Sequence, residues 1–150
     1  MYTDTVTIFN KRGDSKVGIT WYPTVLHNVD LITDKGANVA KTGLESADTA
    51  KLHIRYTLNN GAIKIAEKTY KRPKEWVALS DLEIPTALTF NSGSDFFARG
   101  EFSETPINES DQAYKGGFQS YFNKTHDDVY LITTAGGPYT VIPHFEIGGK

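Results

Sequence analysis

Apolar and polar residues alternate with a period of two along most of this chain. The clearest stretch is KLHIRYTL, whose alternate apolar positions are Leu52, Ile54, Tyr56 and Leu58. This alternation is the pattern of a strand with one buried face. The residues that follow, Asn59, Asn60 and Gly61, tolerate the positive φ of a tight turn, so the sequence predicts a β-hairpin across residues 51–70.

Several other segments have the same strand pattern. The stretches DTVTIF and GITWYPTVLHNVDLI predict strands near the start, and Pro23 belongs on an edge, at a bulge or between two strands. The stretches TALTF and DFFARGEF flank NSGS, and DVYLITTA and YTVIPHFEI flank GGP, which predicts two more hairpins. The chain is therefore predicted to be one mainly β domain over residues 1–150, a small antiparallel β-barrel or sandwich.

Two segments depart from the strand pattern. Residues 34–50 are polar and follow neither period, which predicts a long loop that leaves the barrel. Residues 111–124 contain four aromatic residues at helical spacing, Tyr114, Phe118, Tyr121 and Phe122. They predict one short helix that closes an end of the barrel, with an aromatic binding platform as the alternative.

Charge and composition exclude several classes of protein. The 150 residues carry a net charge of −2 with no run of Lys or Arg longer than two, so no nucleic-acid footprint is visible. Cysteine is absent, which excludes cysteine zinc sites and a thiol nucleophile. The N-terminus lacks a signal-peptide pattern and no apolar stretch reaches the roughly 18 residues of a membrane span. We expect a cytosolic product with no membrane association.

The residues that could carry chemistry are few and scattered. His27, His53, His126 and His144 lie far apart in sequence, and His126 begins the stretch HDD. Three adjacent residues on a turn cannot all bind one ion, so a solvated turn is favoured over a metal site. Ser92, Ser94 and Asp95 lie in NSGSDF, where a strand follows and no nucleophile elbow is expected. We predict no enzymatic activity, no metal and no cofactor.

Two other classes of function stay open at this stage. A carbohydrate-binding module needs an exposed aromatic platform, for which Trp21, Trp76 and Tyr114 are the candidates. A small hydrolase needs carboxylates or histidines that converge in a pocket. Each alternative depends on a spatial arrangement that the sequence does not specify.

Four stretches of the chain carry a family resemblance. They are TVTIFNKR with TWYPTVLHNVDL, KGANVAKTGLESADTAKLHIRY, PKEW with TALTFNSGSDFFARGEF, and DVYLITTAGGPYTVIPHFEIGGK. Together they resemble small head–tail morphogenesis proteins of phages and prophages of Gram-positive bacteria. More loosely, they are similar to the head–tail stoppers of long-tailed phages. The resemblance implies a stopper-like virion protein of the neck that joins the portal or adaptor to the tail and helps to retain packaged DNA. A tail terminator or another neck component is the alternative.

The same resemblance implies partners, a location and two functional segments. The protein would form a ring with copies of itself, between portal or adaptor proteins and the tail terminator or tail tube, in the virion after assembly in the host cytoplasm. Packaged DNA would pass through without sequence-specific binding. The channel-facing loop would contain Asp34, Lys35, Gly36, Lys41, Gly43, Glu45 and Asp48. The assembly edge would be the last strand, with Tyr139, Val141, His144, Phe145 and Ile147. That strand either completes its own barrel or leaves an edge for a neighbouring subunit.

Overall fold

The computed structural model describes a mainly β chain. It covers residues 2–34, 37–40, 43–46, 49–110, 112–114 and 116–150, with the backbone alone for residues 37–40, 43–46 and 112. The strands are β1 (Asp4–Asp14), β2 (Gly18–Asp34), β3 (Ala37–Ala40), β4 (Gly43–Ser46), β5 (Thr49–Arg55), β6 (Thr57–Asn59), β7 (Ala62–Ile65), β8 (Lys68–Tyr70), β9 (Ala87–Leu88), β10 (Phe96–Arg99), β11 (Ile107–Asn108), β12 (Val129–Tyr139) and β13 (His144–Gly149). The helices are α1 (Pro73–Val77) and α2 (Phe118–Thr125), with 3₁₀ turns at Ile84–Thr86 and Gln112–Tyr114.

The largest sheet closes on itself through its strand pairings. Its order is β1-β10-β12-β13-β5-β2-β11, and β1 also pairs with β2. All of these pairings are antiparallel. A closed cycle of antiparallel strands leaves few free edges. The prediction of a small antiparallel barrel or sandwich is confirmed.

The long strand β2 joins the two halves of this cycle. It pairs with β1 as far as Val29 and with β5 from Asp30 onward. Between Leu26 and Val29, two residues of β2 face one residue of β1, and Asn28 has a φ of 57°. This β-bulge bends the strand from one half into the other. Pro23 is paired with Phe9 of β1 in a stretch where no second strand is paired with β2, which is an edge position as predicted.

The main core fills the space inside the cycle. It contains Val6, Ile8, Leu26, Leu52, Ile54, Phe97, Tyr130, Phe145 and Ile147, each at most 6% exposed, together with neighbouring apolar side chains. In β5 the buried residues are Ala50, Leu52 and Ile54, while Lys51, His53 and Arg55 face outward, as the alternation predicted. Leu58 departs from that alternation and is 64% exposed. The reason is that the chain leaves the large sheet after Arg55 and enters another sheet as β6.

A second, aromatic core lies between the cycle and α2. Phe9, Trp21, Phe96, Phe118 and Phe122 are all buried in it. Phe96 and Phe97 are adjacent in β10 and therefore enter different cores, since successive strand residues face opposite sides. The helical stripe of Phe118 and Phe122 packs against the sheet, which agrees with the first interpretation of that segment. The predicted helix is shorter than expected and begins at Phe118, after the positive-φ residues Gly116 and Gly117.

Three local predictions are refined by the structure. The turn at Asn60 and Gly61 joins β6 to β7 as predicted. The predicted hairpin around NSGS is wrong, because β9 pairs with β8 whereas β10 pairs with β1 and β12. The predicted turn at GGP is displaced: β12 continues to Tyr139 across a register shift, and the turn occupies residues 140–143.

Candidate functional site

The segment between β2 and β5 is the first candidate site. The prediction of an excursion from the sheet is correct, but its described part forms a two-stranded hairpin, with Val39 of β3 opposite Leu44 of β4. We call β3 and β4 the excursion hairpin. Of the seven residues predicted to face a channel, Asp34 is the exposed last residue of β2, and Gly43 and Glu45 belong to β4. The other four, Lys35, Gly36, Lys41 and Asp48, lie outside the described residues.

The last strand is not a free assembly edge, and that prediction is corrected. Strand β13 is hydrogen-bonded to β12 on one side and to β5 on the other, so it has no open side for a neighbouring subunit. Phe145 and Ile147 are each 1% exposed in the main core. The alternative, in which the last strand completes its own barrel, is confirmed. Its burial also explains why the end of the chain is so apolar.

Two predicted edge residues lie at the end of the molecule opposite the excursion hairpin. In the ladder from β12 through β13 to β5, Gly149 is paired with Ala50 beside the excursion hairpin, and His144 with Arg55 at the other end. Tyr139 ends β12 and Val141 lies in the turn that follows. Because β13 is antiparallel to both neighbours, residues 140–143 must leave the ladder at that far end.

This turn exposes apolar side chains. Val141 is 97% exposed and Ile142 is 65% exposed. We call residues 140–143 the apolar turn. Its anchors are the Tyr56 hydroxyl, which donates to the Tyr139 carbonyl at 2.7 Å, and the Tyr56 amide, which donates to the Pro143 carbonyl at 3.3 Å. The exposed aliphatic side chains thus stand on a turn that is held by two hydrogen bonds.

A second group of exposed apolar residues is found where β1 turns into β2. Val17 in that turn is 80% exposed, and Leu82 in the loop after α1 is 89% exposed. Arg12 joins the two segments, donating to Asp81 Oδ1 at 2.8 Å and to the Leu79 carbonyl at 2.7 Å. The β1–β2 turn lies at the end of β2 remote from Asp34, where the excursion hairpin begins. The far end of the molecule therefore carries both groups of exposed apolar residues.

The outer surface of β2, β5 and β13 brings together histidines that are distant in sequence. Asp30, His53 and Glu146 occupy one cross-strand row, and the neighbouring row contains His144. His53 Nδ1 lies 3.6 Å from Asp30 Oδ2, and the rings of His53 and His144 are 6.2 Å apart between centroids. We call these four residues the histidine cluster. Strand pairing therefore brings together two histidines that lie about 90 positions apart in the sequence, a convergence that the sequence left open.

A cleft of about 570 Å³ adjoins this cluster, and its lining includes Lys51, His53, Thr134, Tyr139 and Glu146. The other two histidines are elsewhere. His27 Nε2 pairs with Glu101 Oε1 at 3.1 Å, and the His126 ring stacks on Phe122 with 4.0 Å between centroids. In the part of the chain that the structure describes, no three His, Asp or Glu side chains are grouped so as to hold a metal ion.

The residues proposed for sugar binding are mainly core residues. Trp21 is 2% exposed and Trp76 is 1% exposed, so neither forms a surface platform. Trp21 donates its indole N–H to Glu109 Oε1 at 3.0 Å. Tyr114 is half-buried and packs edge-on against Phe118. The sequence left both placements open, because aromatic residues in a β protein occur in cores and in platforms alike.

Asp95, which the sequence placed in a turn, is a buried structural carboxylate. It accepts hydrogen bonds from the Asn10 side-chain amide, the Lys11 amide and the Asn91 amide, each at 2.9 Å. Burial raises the pKa of Asp95 to about 6, against the opposing effect of these bonds. All three donors are internal, so this carboxylate connects β1 to the segment before β10.

Comparison with known proteins identifies one family. The model of a family described as "Family of unknown function (DUF6751)" matches residues 1–150. Neither the curated proteins nor the solved structures gave a match. Among the described residues, no helix is long and apolar enough to cross a membrane.

Proposed function

The chain belongs to DUF6751, a family of unknown function, and from its own sequence and geometry we propose that it is a structural subunit of the head–tail connector of long-tailed phages. In this proposal the protein is a stopper-like ring component, located in the virion, that joins the portal or adaptor to the tail and helps to retain packaged DNA. The sequence resemblance suggests the phage neck, and the geometry supports a joining role.

One observation carries the proposal: different segments of the chain lie at the two opposite ends of the molecule. The excursion hairpin is inserted where Asp34 of β2 pairs with Thr49 of β5. At the other end are the apolar turn and the β1–β2 turn, with Val141 and Val17 largely exposed. A ring component needs one surface for each of two different partners, and opposite ends of a closed β-structure supply them. The closed cycle between them provides a stiff spacer.

The excursion hairpin supports a role at the channel. A two-stranded hairpin on its own is only marginally stable in water, so one that stands outside the main sheet gains most from contact with another surface. In a ring, such hairpins from successive subunits would come together around the axis. Charge in this segment is nearly balanced, with Lys35 and Lys41 against Glu45 and Asp48, which suits passage of DNA without strong binding.

The non-enzymatic interpretation is supported by how the histidine cluster is occupied. His144 contacts the Ile142 carbonyl and Glu146, and His53 pairs with Asp30. A general base needs a ring nitrogen that is free to take a substrate proton. With both nitrogens of His144 engaged internally and His53 paired with Asp30 of β2, the cluster is better suited to a structural role.

The deciding experiment is electron microscopy of a phage with an early stop codon in this gene. We expect free tails beside heads that have lost their DNA, because the neck could neither close the head nor dock the tail. Supplying the intact gene from a plasmid is the matched control and should restore joined particles. Full yields of joined particles without the protein would overturn the proposal. Filled heads with overlong or absent tails would replace it with a tail terminator.

A further inference from the structure

His144 stands at the first position of β13, directly after the apolar turn. Its Nδ1 lies 2.5 Å from the Ile142 carbonyl oxygen, and its Nε2 lies 3.2 Å from Glu146 Oε1. The Tyr139 ring stacks on the imidazole with 5.0 Å between centroids and so covers one face of it. The histidine thus contacts both sides of the turn and a carboxylate on its own strand.

Both ring nitrogens face groups that can only accept a hydrogen bond. A backbone carbonyl has no proton to donate, and neither has an ionised carboxylate. A neutral imidazole has a single N–H, so in either tautomer one of its nitrogens would present a lone pair to an acceptor. The imidazolium alone donates to Ile142 and Glu146 at once. Protonation of His144 would therefore satisfy both contacts.

We propose that His144 is a proton-operated clasp on the apolar turn. When protonated, it donates to the Ile142 carbonyl and to Glu146 together, and this fixes Val141 and Ile142 relative to β13. When it loses the proton, it must give up one of the two bonds, and the turn loses one of its anchors. The remaining anchors are the two hydrogen bonds from Tyr56.

The charges around the clasp act in both directions. Glu146 and, beyond His53, Asp30 are anions that favour the imidazolium, whereas the cross-strand neighbour Arg55 and Lys51 are cations that oppose it. The His53 ring, 6.2 Å away between centroids, is the other titratable group on this face. The guanidinium of Arg55 lies over the Tyr2 ring, 3.8 Å from its centroid. The bond to the Ile142 carbonyl and then the bond to Glu146 raise the pKa of His144 above its ordinary 6.5, against a smaller effect of burial.

The sign of the pH dependence follows from that direction. Because the folded-state pKa is raised, the clasp contributes its full stabilisation below about pH 6.5 and loses it as the pH rises through the folded-state pKa. The apolar turn is therefore fixed in mildly acidic solution and looser in alkaline solution. Any effect on assembly rests on the proposed function, in which this turn is a contact surface.

The test is an NMR titration of the isolated chain between about pH 5 and 9, following the His144 ring and the methyl groups of Val141 and Ile142. We expect His144 to titrate above the same residue in the urea-denatured chain. The methyl signals should shift with the same midpoint, and amide exchange in the turn should accelerate above it. The clasp would be overturned if the pKa of His144 in the folded chain were at or below its pKa in the denatured chain. It would also be overturned if the methyl signals did not shift at the midpoint of the His144 titration.

Two variants sharpen this test. Glu146→Gln removes the charged acceptor and should lower the midpoint of His144. His53→Gln removes the neighbouring ring but neither clasp contact, so the turn should still respond to pH. An unchanged midpoint in Glu146→Gln, or loss of the response in His53→Gln, would argue against His144 as the origin. The titration needs no phage particle, so its failure is separate from failure of the connector proposal.

Discussion

Asn10 donates its side-chain amide to Asp95 Oδ2 at 2.9 Å, and both residues are at most 1% exposed. The same amide donates to the Thr89 carbonyl at 2.7 Å. This buried contact joins β1 to the segments on either side of NSGS, which precede β10 of the large sheet and follow β9 of the smaller one. A buried carboxylate is tolerated here because three N–H donors face it.

The first prediction is that stability falls as Asp95 ionises. Its folded-state pKa is raised from 3.8 to about 6, so stability is greatest below pH 3.8 and declines as the pH rises to about 6. Over that interval we expect a loss of roughly 3 kcal/mol in the free energy of unfolding from this group. Urea denaturation at a series of pH values measures it.

Asp95→Asn is the matched control for this prediction. Asparagine cannot ionise, so the difference in unfolding free energy between wild type and variant should change with pH between about 3.8 and about 6 and level off above that range. The variant should itself be less stable at pH 4 by about 1–3 kcal/mol, because its NH₂ group replaces an acceptor that receives N–H donors. A difference that is constant between pH 4 and 7 would contradict the assignment.

The second prediction concerns Glu109 as the cap of α2. Its Oε1 accepts from the Trp21 indole at 3.0 Å and from the Phe118 amide at 2.8 Å. Gly117 at the N-cap supplies no side-chain hydrogen bond, so Glu109 takes that role from outside the helix. Glu109→Ala should cost about 2–4 kcal/mol in unfolding free energy, since it leaves a buried indole N–H and a helix amide without partners.

Glu109→Gln separates hydrogen bonding from charge in the same position. Its amide oxygen can still accept from both donors, so we expect a loss of about 1 kcal/mol or less. Glu101→Ala serves as a surface control because Glu101 pairs only with the exposed His27 among the described residues. Equal losses for Glu109→Ala and Glu101→Ala in chemical denaturation would show that Glu109 is not a cap.

The third prediction compares two glycines with positive φ. Gly13 has a φ of 99°, and a Cβ built there would lie 2.0 Å from the Gly18 carbonyl oxygen. Gly61 has a φ of 82° and open space around its Cβ position. Gly61→Ala should cost about 1 kcal/mol for backbone strain alone, while Gly13→Ala should cost at least about 3 kcal/mol because backbone must move. Similar unfolding free energies for Gly13→Ala and Gly61→Ala would contradict the predicted clash at Gly13.

Local sequence patterns predicted the parts of the fold that depend on nearest neighbours. The alternation predicted for residues 51–58 holds as far as Tyr56 and fails at Leu58, and the turn at Asn60 and Gly61 was predicted correctly. Period and φ preference are local properties, which is why these parts could be predicted. The partners of β10 were not predicted, because β1 lies about 90 positions before it in the sequence and β12 more than 30 after it. The proximity of His53 and His144 likewise depends on the pairing of β5 with β13. No local pattern encodes such a pairing.

The fourth prediction tests the apolar turn as an assembly surface. In the double variant Val141→Asp with Ile142→Asp, the free energy of unfolding should change by less than about 0.5 kcal/mol per site, because both side chains are largely exposed. The stop-codon phage complemented by this variant should give at least about tenfold fewer joined particles, since each contact would desolvate a carboxylate.

Tyr121→Asp is the matched control for that variant. Tyr121 is 36% exposed on α2, whose Phe118 and Phe122 pack against β1 and β10, so it lies on the flank and at neither end. An aspartate there adds one negative charge, against two in the double variant, and also removes apolar surface, yet it should leave the particle yield unchanged. If both variants lower the yield equally, the effect is not specific to the apolar turn. If the double variant gives normal particles, the apolar turn contacts no partner in the virion, and the surface around Val17 and Leu82 becomes the site to test.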